Sequence, residues 1–78
     1  MKEIHKKILP QYFIDVQNGE KTFELRKDED NAQPGDTLIL EEWDSGYTGR
    51  VCVKSVTYVL RDVPQLGLAE GYCILGLK

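Results

Sequence analysis

The sequence predicts an α+β fold in which a small, curved, barrel-like sheet of five strands packs against one main helix. Five short segments carry the alternating or β-branched pattern of strands, and one segment has apolar residues at helical spacing. A chain of 78 residues has room for one hydrophobic core only. We therefore expect residues 1–78 to form a single domain.

The first elements are a strand and the helix. The segment from Ile4 to Leu9 is predicted as a strand, and Pro10 suits the first turn of a helix because its missing N–H would be unpaired there anyway. The helix should end at Asn18, since Gly19 is suited to a left-handed C-terminal cap. Its apolar stripe should pack on the sheet and consists of Leu9, Tyr12, Phe13 and Val16.

Four further segments carry strand patterns, and turn residues separate them. They run from Thr22 to Lys27, Thr37 to Trp43, Gly49 to Leu60 and Gly71 to Leu77. Asp44-Ser45-Gly46 is typical of a turn and predicts a hairpin between the second and third of them. Gly46 and Gly49 would permit the sharp bending that a small barrel needs.

The charge balance limits the partners that the sequence predicts. The net charge is −3 at pH 7, which disfavours a broad grip on the phosphates of a long DNA duplex. Residues 1–27 nevertheless carry six Lys or Arg against four acids, whereas residues 28–78 carry four against nine. A local basic face on an acidic protein favours a compact anionic ligand or a short RNA segment as the partner.

The sequence also indicates the compartment and the absence of cofactors. No apolar run is long enough to span a membrane, and the N-terminal residues lack the apolar core of a signal peptide, so we expect a cytoplasmic protein without membrane association. Cys52 and Cys73 lie in strand-like contexts and are expected to be reduced and buried. We expect no metal site and no cofactor, because two separated Cys and one His supply too few soft ligands for zinc.

The stretch Gly19 to Arg26 is the candidate binding site. Alternation along this strand places Phe23 and Leu25 on one face and Glu24 and Arg26 on the other, so we expect Glu24 and Arg26 to lie outside the core. Lys21 stands next to the turn and can reach the same area. A carboxylate, a guanidinium and an ammonium close together would bind a polar, planar ligand such as a nucleobase or a nucleotide. The alternative is a solvated strand face with an exposed Glu24–Arg26 pair.

These residues also resemble a known family. Gly19-x-Lys21-x-x-Glu24-x-Arg26 has the form of the G-x-K-x-x-E-x-R motif of ASCH domains, which belong to the PUA-like superfamily of small β-barrels associated with RNA. Further residues resemble a short ASCH-related family that is found in bacteria and phages and was long catalogued as a domain of unknown function. They are His5, Ile8-Leu9-Pro10, Tyr12-Phe13, Gly35-Asp36, Glu42-Trp43, Tyr47-Thr48-Gly49-Arg50, Tyr58 and Gly71-Tyr72.

The resemblance implies a five-stranded PUA-like barrel, with a cleft between barrel and helix that Lys21, Glu24 and Arg26 line. It also implies binding of RNA or of a nucleotide-like small molecule. One ASCH relative looks like an amidohydrolase of N4-acetylcytidine. Its motif has the Lys, but a Thr where this chain has Glu24, and it uses a carboxylate near its C-terminal end. Glu70 is the only acid in that region here, and it lies in no motif that matches.

Three functions remain open from the sequence. The first is a binding module for RNA or a nucleotide, with ligand contacts from Lys21, Glu24, Arg26, Tyr47, Arg50, His5 and Tyr12. The second is a small amidohydrolase of an acylated nucleoside, in which Glu24 activates water and Lys21 stabilises the oxyanion. The third is a protein-interaction domain. In the first hypothesis, Tyr47 stacks on a base and Arg50 reaches a phosphate from the hairpin tip.

Overall fold

Five strands and one α-helix follow one another in the predicted order in a computed structural model, which describes residues 1–78. The elements are β1 (Glu3–Ile8), α1 (Pro10–Gln17), β2 (Phe23–Lys27), β3 (Thr37–Trp43), β4 (Tyr47–Leu60) and β5 (Tyr72–Leu77), with a 3-10 turn at Pro64–Leu66 before β5. The predicted α+β class is confirmed. Each predicted element is present, and its ends differ from the prediction by at most two residues. The helices are too short and too polar for any of them to cross a membrane.

The helix begins and ends at the residues that favour it. Pro10 occupies the first helical position after Leu9, as its missing N–H and fixed φ allow. Gly19 follows the helix with a φ of +83°, and its N–H donates to the Val16 carbonyl at 3.2 Å. This left-handed cap is the predicted one. The chain can therefore reverse direction within a few residues and enter β2 beside the helix.

The predicted helical stripe divides between two environments. Phe13 and Val16 are fully buried and join the core, as predicted. Leu9 and Tyr12 are exposed on their outer side. The helix thus packs on the sheet through one part of the stripe and presents the other part to a cleft.

The sheet has the strand order β1-β3-β4-β5-β2. β1 runs parallel to β3, and the other neighbours are antiparallel. The long strand β4 belongs to both halves of the sheet: its first part pairs with β3 as far as Ser55, and its second part pairs with β5 from Val56 onward. β4 therefore changes partner midway, which allows the sheet to curve around the core.

The predicted closed barrel is wrong, because β1 and β2 lie at opposite edges of the sheet and do not pair. A side chain occupies the position where main-chain pairing would close the barrel. Nη2 of Arg26 donates to the carbonyl oxygen of Lys7 at 2.7 Å and so connects the two edge strands. Strands that pair lie roughly 4.8 Å apart, which leaves no room for a guanidinium between them. The structure is an open, mixed sheet of five strands.

The core lies between the sheet and α1. It is formed by twelve buried residues, namely Ile4, Ile8, Phe13, Val16, Ala32, Leu38, Leu40, Cys52, Val56, Cys73, Leu75 and Leu77. Both cysteines are buried and free, and burial raises the pKa of the Cys73 thiol. Three carboxylates, Glu24, Asp36 and Glu42, are also buried, and each of them has hydrogen-bond partners.

The acidic loop between β2 and β3 neutralises part of the predicted basic face. Lys6 pairs with Glu29 at 2.9 Å and with Asp30 at 2.6 Å. Nζ of Lys2 donates to Oδ2 of Asp36 at 3.1 Å. The lysines of β1 and the acids of the loop are far apart in sequence, so a count of charges in each half of the chain could not show that they pair. The basic surface that remains is smaller than predicted.

Protonation of Asp36 should destabilise the fold at low pH. Backbone N–H bonds from Lys2 and Gln33 lower the pKa of this buried carboxyl from 3.8 to about 2. Because the folded-state pKa is the lower one, the carboxylate stabilises the fold fully above pH 3.8 and loses this effect as the pH falls toward 2. In urea titrations from pH 7 to pH 2, the stability difference between wild type and Asp36→Asn should be constant down to about pH 4 and then shrink. A difference that stays constant to pH 2 would contradict the assignment.

Candidate functional site

A cleft of about 500 Å³ opens where the end of β1, the start of α1 and β2 meet. It is lined by Lys7, Ile8, Leu9, Tyr12, Lys21, Phe23, Glu24, Leu25 and Arg26. Four of the predicted ligand-binding residues are therefore brought together, namely Tyr12, Lys21, Glu24 and Arg26. The volume is in the range of sites for small molecules.

Glu24 is buried, and the prediction that it lies outside the core is wrong. Glu24 is only 4% exposed, whereas Phe23 and Leu25 are 49% and 56% exposed. The alternating pattern assigns the side chains to two faces of the strand, but it does not show which face points into the core. The usual rule, that the apolar face is inward, fails in β2 because the Glu24 carboxylate is paired on both oxygens and can be buried. Phe23 and Leu25 are then left to line the cleft with apolar surface.

Lys21 lies between the buried carboxylate and two aromatic rings. Its Nζ is hydrogen-bonded to Oε1 of Glu24 and donates to the Phe23 carbonyl oxygen at 2.7 Å. The same Nζ lies 4.9 Å from the centroid of the Phe23 ring and 5.7 Å from that of Tyr12. The backbone N–H of Lys21 donates to the Asp15 carbonyl at 2.9 Å, which ties the residue to the helix. The helix therefore fixes the backbone of Lys21, and β2 holds its ammonium.

Arg26 holds the other oxygen of Glu24. Its Nε donates to Oε2 of Glu24 at 2.9 Å, and its Nη2 lies 2.8 Å from the same oxygen. Nη2 also donates to the Lys7 carbonyl, so the guanidinium is fixed by both edge strands. It retains further N–H donors, because a guanidinium has more of them than these contacts use. Arg26 is partly exposed and can offer those donors to a ligand.

The cleft carries an excess of positive charge. Lys7, Lys21 and Arg26 line it together with a single carboxylate, that of Glu24. The three cations and one anion favour a ligand with negative charge. The apolar side chains of the cleft favour a ligand that also has a flat or apolar part.

Arg50, a further predicted ligand-binding residue, is committed to a structural contact outside the cleft. It forms a two-point pair with the buried Glu42: Nε donates to Oε1 at 2.8 Å and Nη2 to Oε2 at 2.5 Å. The Thr48 hydroxyl donates to Oε1 of Glu42 at 2.6 Å. These bonds, above all those from Arg50, hold the pKa of Glu42 below its usual range. The Arg50 guanidinium carbon lies 4.8 Å from the Phe13 ring centroid, so the pair covers the core beside α1.

His5 and Tyr47 also lie outside the cleft. His5 is exposed on β1, with Nδ1 3.5 Å from Oε1 of Glu41 on the neighbouring strand. Tyr47 is exposed at the hairpin end of β4, and its ring packs edge-on against that of Trp43 with centroids 4.9 Å apart. The predicted ligand-binding residues therefore do not form one site. They are distributed over the cleft, the hairpin and the outer face of the sheet.

Sequence reasoning missed five of the nine residues that line the cleft, namely Lys7, Ile8, Leu9, Phe23 and Leu25. Phe23 was assigned to the apolar face of a strand, and only its position inside the motif pointed to the site. Lys7 lies in β1 just before Ile8-Leu9-Pro10, where the strand ends and the helix begins. A residue at such a junction lies beside the first turn of the helix. This position in the sequence is the feature that could have indicated Lys7 as a cleft residue.

The structure also bears on catalysis. Glu70 lies in the loop before β5, in a separate depression that Asp62, Val63, Pro64, Leu68 and Ala69 also line. Glu24 is the one carboxylate among the residues that line the cleft. No group of three or more His, Cys, Asp or Glu side chains could hold a metal ion. The ionisable side chains that line the cleft are those of Lys7, Tyr12, Lys21, Glu24 and Arg26.

Comparison with known proteins identifies the family of this chain. It is 44% identical over 61 residues to a protein of Escherichia phage P2 described as "Uncharacterized 12.9 kDa protein in GpA 3'region". The alignment covers 76% of this chain and 56% of the phage protein, so the chain spans little more than half the length of that relative. Residues 4–77 match the domain of unknown function DUF3850. Because this match covers nearly the whole sequence, the chain belongs to the DUF3850 family.

Proposed function

We propose that this domain binds RNA or a nucleotide in the cleft that Lys21, Glu24 and Arg26 line. One observation carries the proposal: two aromatic rings, Tyr12 and Phe23, flank the Lys21 ammonium inside a cleft with an excess of positive charge. A nucleotide combines a flat base with an anionic phosphate, and both parts have complementary groups here.

Each group has a distinct part in the proposed complex. The base stacks on the exposed Phe23 ring, and the Tyr12 ring also lies near the Lys21 ammonium. The phosphate is neutralised by Lys21 and by the remaining donors of Arg26. Glu24 is buried beneath them and positions both cations, since it contacts each of them through a different oxygen. This arrangement requires no reaction.

The relationship to ASCH domains and the PUA-like superfamily is part of the same proposal. In the structure, Lys21 and Arg26 of the G-x-K-x-x-E-x-R motif each contact Glu24. The three motif residues are thus connected through one buried carboxylate. The contact supports a shared role of the motif residues.

An amidohydrolase acting on an acylated nucleoside is the alternative that the same cleft allows. As general base, Glu24 would need a free lone pair directed at a water. Lys21 occupies one site on Oε1 and Arg26 makes two contacts to Oε2, so the capacity that remains for a water is on Oε1. The cleft offers no other carboxylate. Incubation with N4-acetylcytidine, with mass spectrometry to detect cytidine, tests this alternative. Turnover above the rate without protein would favour the hydrolase over the binding module.

A protein-interaction role rests on a different surface. Val51 and Val53 are exposed on the outer face of β4, away from the cleft. A hydrophobic surface of this kind can contact a partner, but two exposed valines are not unusual for a small domain. We therefore prefer the cleft as the functional site.

Ligand binding should depend on Phe23. Calorimetric titration should show binding of a nucleoside monophosphate and of short single-stranded RNA, and weaker or no binding of a long DNA duplex. Phe23→Ala should reduce the affinity for the single-stranded ligands about tenfold or more, because it removes a stacking surface. Tyr58→Ala, which removes an exposed aromatic residue on β4 outside the cleft, is the matched control and should leave affinity unchanged. Equal affinities for all three proteins, or absence of binding, would contradict the proposal.

A further inference from the structure

Lys7 differs from the other two cations of the cleft in having no carboxylate partner. Lys21 and Arg26 both pair with Glu24. Lys2, just before β1, and Lys6 on β1 pair with acids of the loop between β2 and β3. The ammonium of Lys7 instead lies over the face of the Trp43 ring, 3.9 Å from its centroid, and 5.7 Å from the centroid of the Tyr47 ring. Its charge is stabilised by the aromatic faces and is not neutralised by an acid.

Trp43 and Tyr47 form an aromatic pair beside this ammonium. They are opposite each other in the hairpin of β3 and β4, and their rings are in an edge-to-face arrangement. Trp43 is half-buried, whereas Tyr47 is 60% exposed. The pair therefore has a fixed inner ring and an accessible outer ring. Exposed aromatic rings next to a cation are what single-stranded nucleic acids bind, through stacking and phosphate contacts.

Lys7 connects this pair to the cleft, because the same side chain lines the cleft and contacts Trp43. The cleft itself, at about 500 Å³, is a site for one small ligand. A second base would need another surface, and the nearest aromatic surface across Lys7 is that of Trp43 and Tyr47. Successive nucleotides are joined by a phosphate, and an unpaired ammonium lies between the two surfaces.

We propose that Lys7, Trp43 and Tyr47 form a second subsite, contiguous with the cleft, which binds the neighbouring nucleotide of a single-stranded RNA. The linking phosphate lies at Lys7, and the second base stacks on Tyr47. This inference rests on the proposed function of the cleft. It specifies the ligand as an oligonucleotide of at least two residues and not a free mononucleotide.

The test compares mononucleotides with dinucleotides. The probes are uridine and adenosine 5′-monophosphates and the RNA dinucleotides pUpU and pApA, titrated by calorimetry. Trp43 is the only tryptophan of the chain, so its fluorescence reports directly on the second subsite. A dinucleotide should bind about tenfold or more tightly than its mononucleotide, as expected for one added stacking contact, and should quench Trp43 more strongly.

Variants show whether the added affinity arises at this subsite. Tyr47→Ala should reduce dinucleotide affinity toward that of the mononucleotide and leave mononucleotide affinity nearly unchanged. Lys7→Gln also removes a cation from the cleft, so it should reduce dinucleotide affinity more than mononucleotide affinity. Two matched controls should leave both affinities unchanged: Lys27→Gln removes another exposed lysine without a carboxylate partner, and Tyr58→Ala another exposed tyrosine of β4. Thermal melting of each variant shows whether it is folded.

The outcomes separate this inference from the proposed function. Mononucleotide binding that depends on Phe23, without a further gain from the dinucleotide, would overturn the second subsite and leave the cleft as the binding site. If the dinucleotide still binds more tightly than the mononucleotide by the wild-type factor in both Lys7→Gln and Tyr47→Ala, the second subsite would also be overturned. Absence of binding by every probe would overturn both proposals together.

Discussion

Replacement of Phe13 by alanine should lower the free energy of unfolding by about 3–5 kcal/mol, a large share of the total for a domain of this size. Phe13 is fully buried, whereas the next residue of the helix, Ile14, is exposed. Its ring packs between α1 and the sheet and also carries the guanidinium of Arg50 on its face. Truncation would remove the apolar contacts and leave a cavity that the curved sheet cannot easily fill.

Urea denaturation followed by far-UV circular dichroism measures this loss. Ile14→Ala on the exposed side of the same helix is the matched control and should cost no more than about 1 kcal/mol. A loss below about 1 kcal/mol for Phe13→Ala would show that α1 does not pack on the sheet as described.

Arg26→Ala should destabilise the protein by about 2–3 kcal/mol, more than the loss of an exposed ion pair would. Glu24 is buried, and Arg26 provides the partner for one of its two oxygens. Removal of the guanidinium would leave a buried carboxylate with Lys21 alone and would also remove the bond to the Lys7 carbonyl. The cost of an incompletely paired buried charge exceeds the net value of the pair itself.

A double-mutant cycle isolates this effect. In a Glu24→Gln background the buried group is neutral, so Arg26→Ala should cost at least about 1 kcal/mol less than in wild type. Lys27→Ala, at the adjacent exposed position, is the control and should change the free energy of unfolding by about 0.5 kcal/mol or less. Equal costs of Arg26→Ala in both backgrounds would show that Glu24 and Arg26 do not interact.

The sequence predicts the elements well because the signals for them are local. Alternation defines the strands, and Pro10 and Gly19 mark the two ends of the helix through their own backbone constraints. The pairing of Arg50 with Glu42 is harder to predict from the sequence, although the two residues lie on adjacent strands. The hairpin tip suggested an exposed Arg50 that was free to bind a ligand, but a buried carboxylate requires a partner and takes the nearest guanidinium.

The orientation of β2 and the closure of the sheet could not be read locally. Both depend on Arg26, which pairs with Glu24 on its own strand and with the Lys7 carbonyl nineteen residues earlier in the sequence. The motif indicates that Lys21, Glu24 and Arg26 lie close together, and both cations contact Glu24 in the structure. It did not show that their contact is buried, because the same residue types at the same spacing also form exposed pairs.

The bond between Arg26 and the Lys7 carbonyl also has a consequence for self-association. An open sheet has edge strands with unpaired backbone groups, and such edges recruit strands from other molecules and promote aggregation. Here an edge carbonyl of β1 is already occupied by the guanidinium from β2. An incoming strand at this position would have to displace Arg26 and would thereby take from Glu24 one of its two partners. The same arginine that shapes the cleft therefore protects an edge of the sheet against intermolecular strand addition.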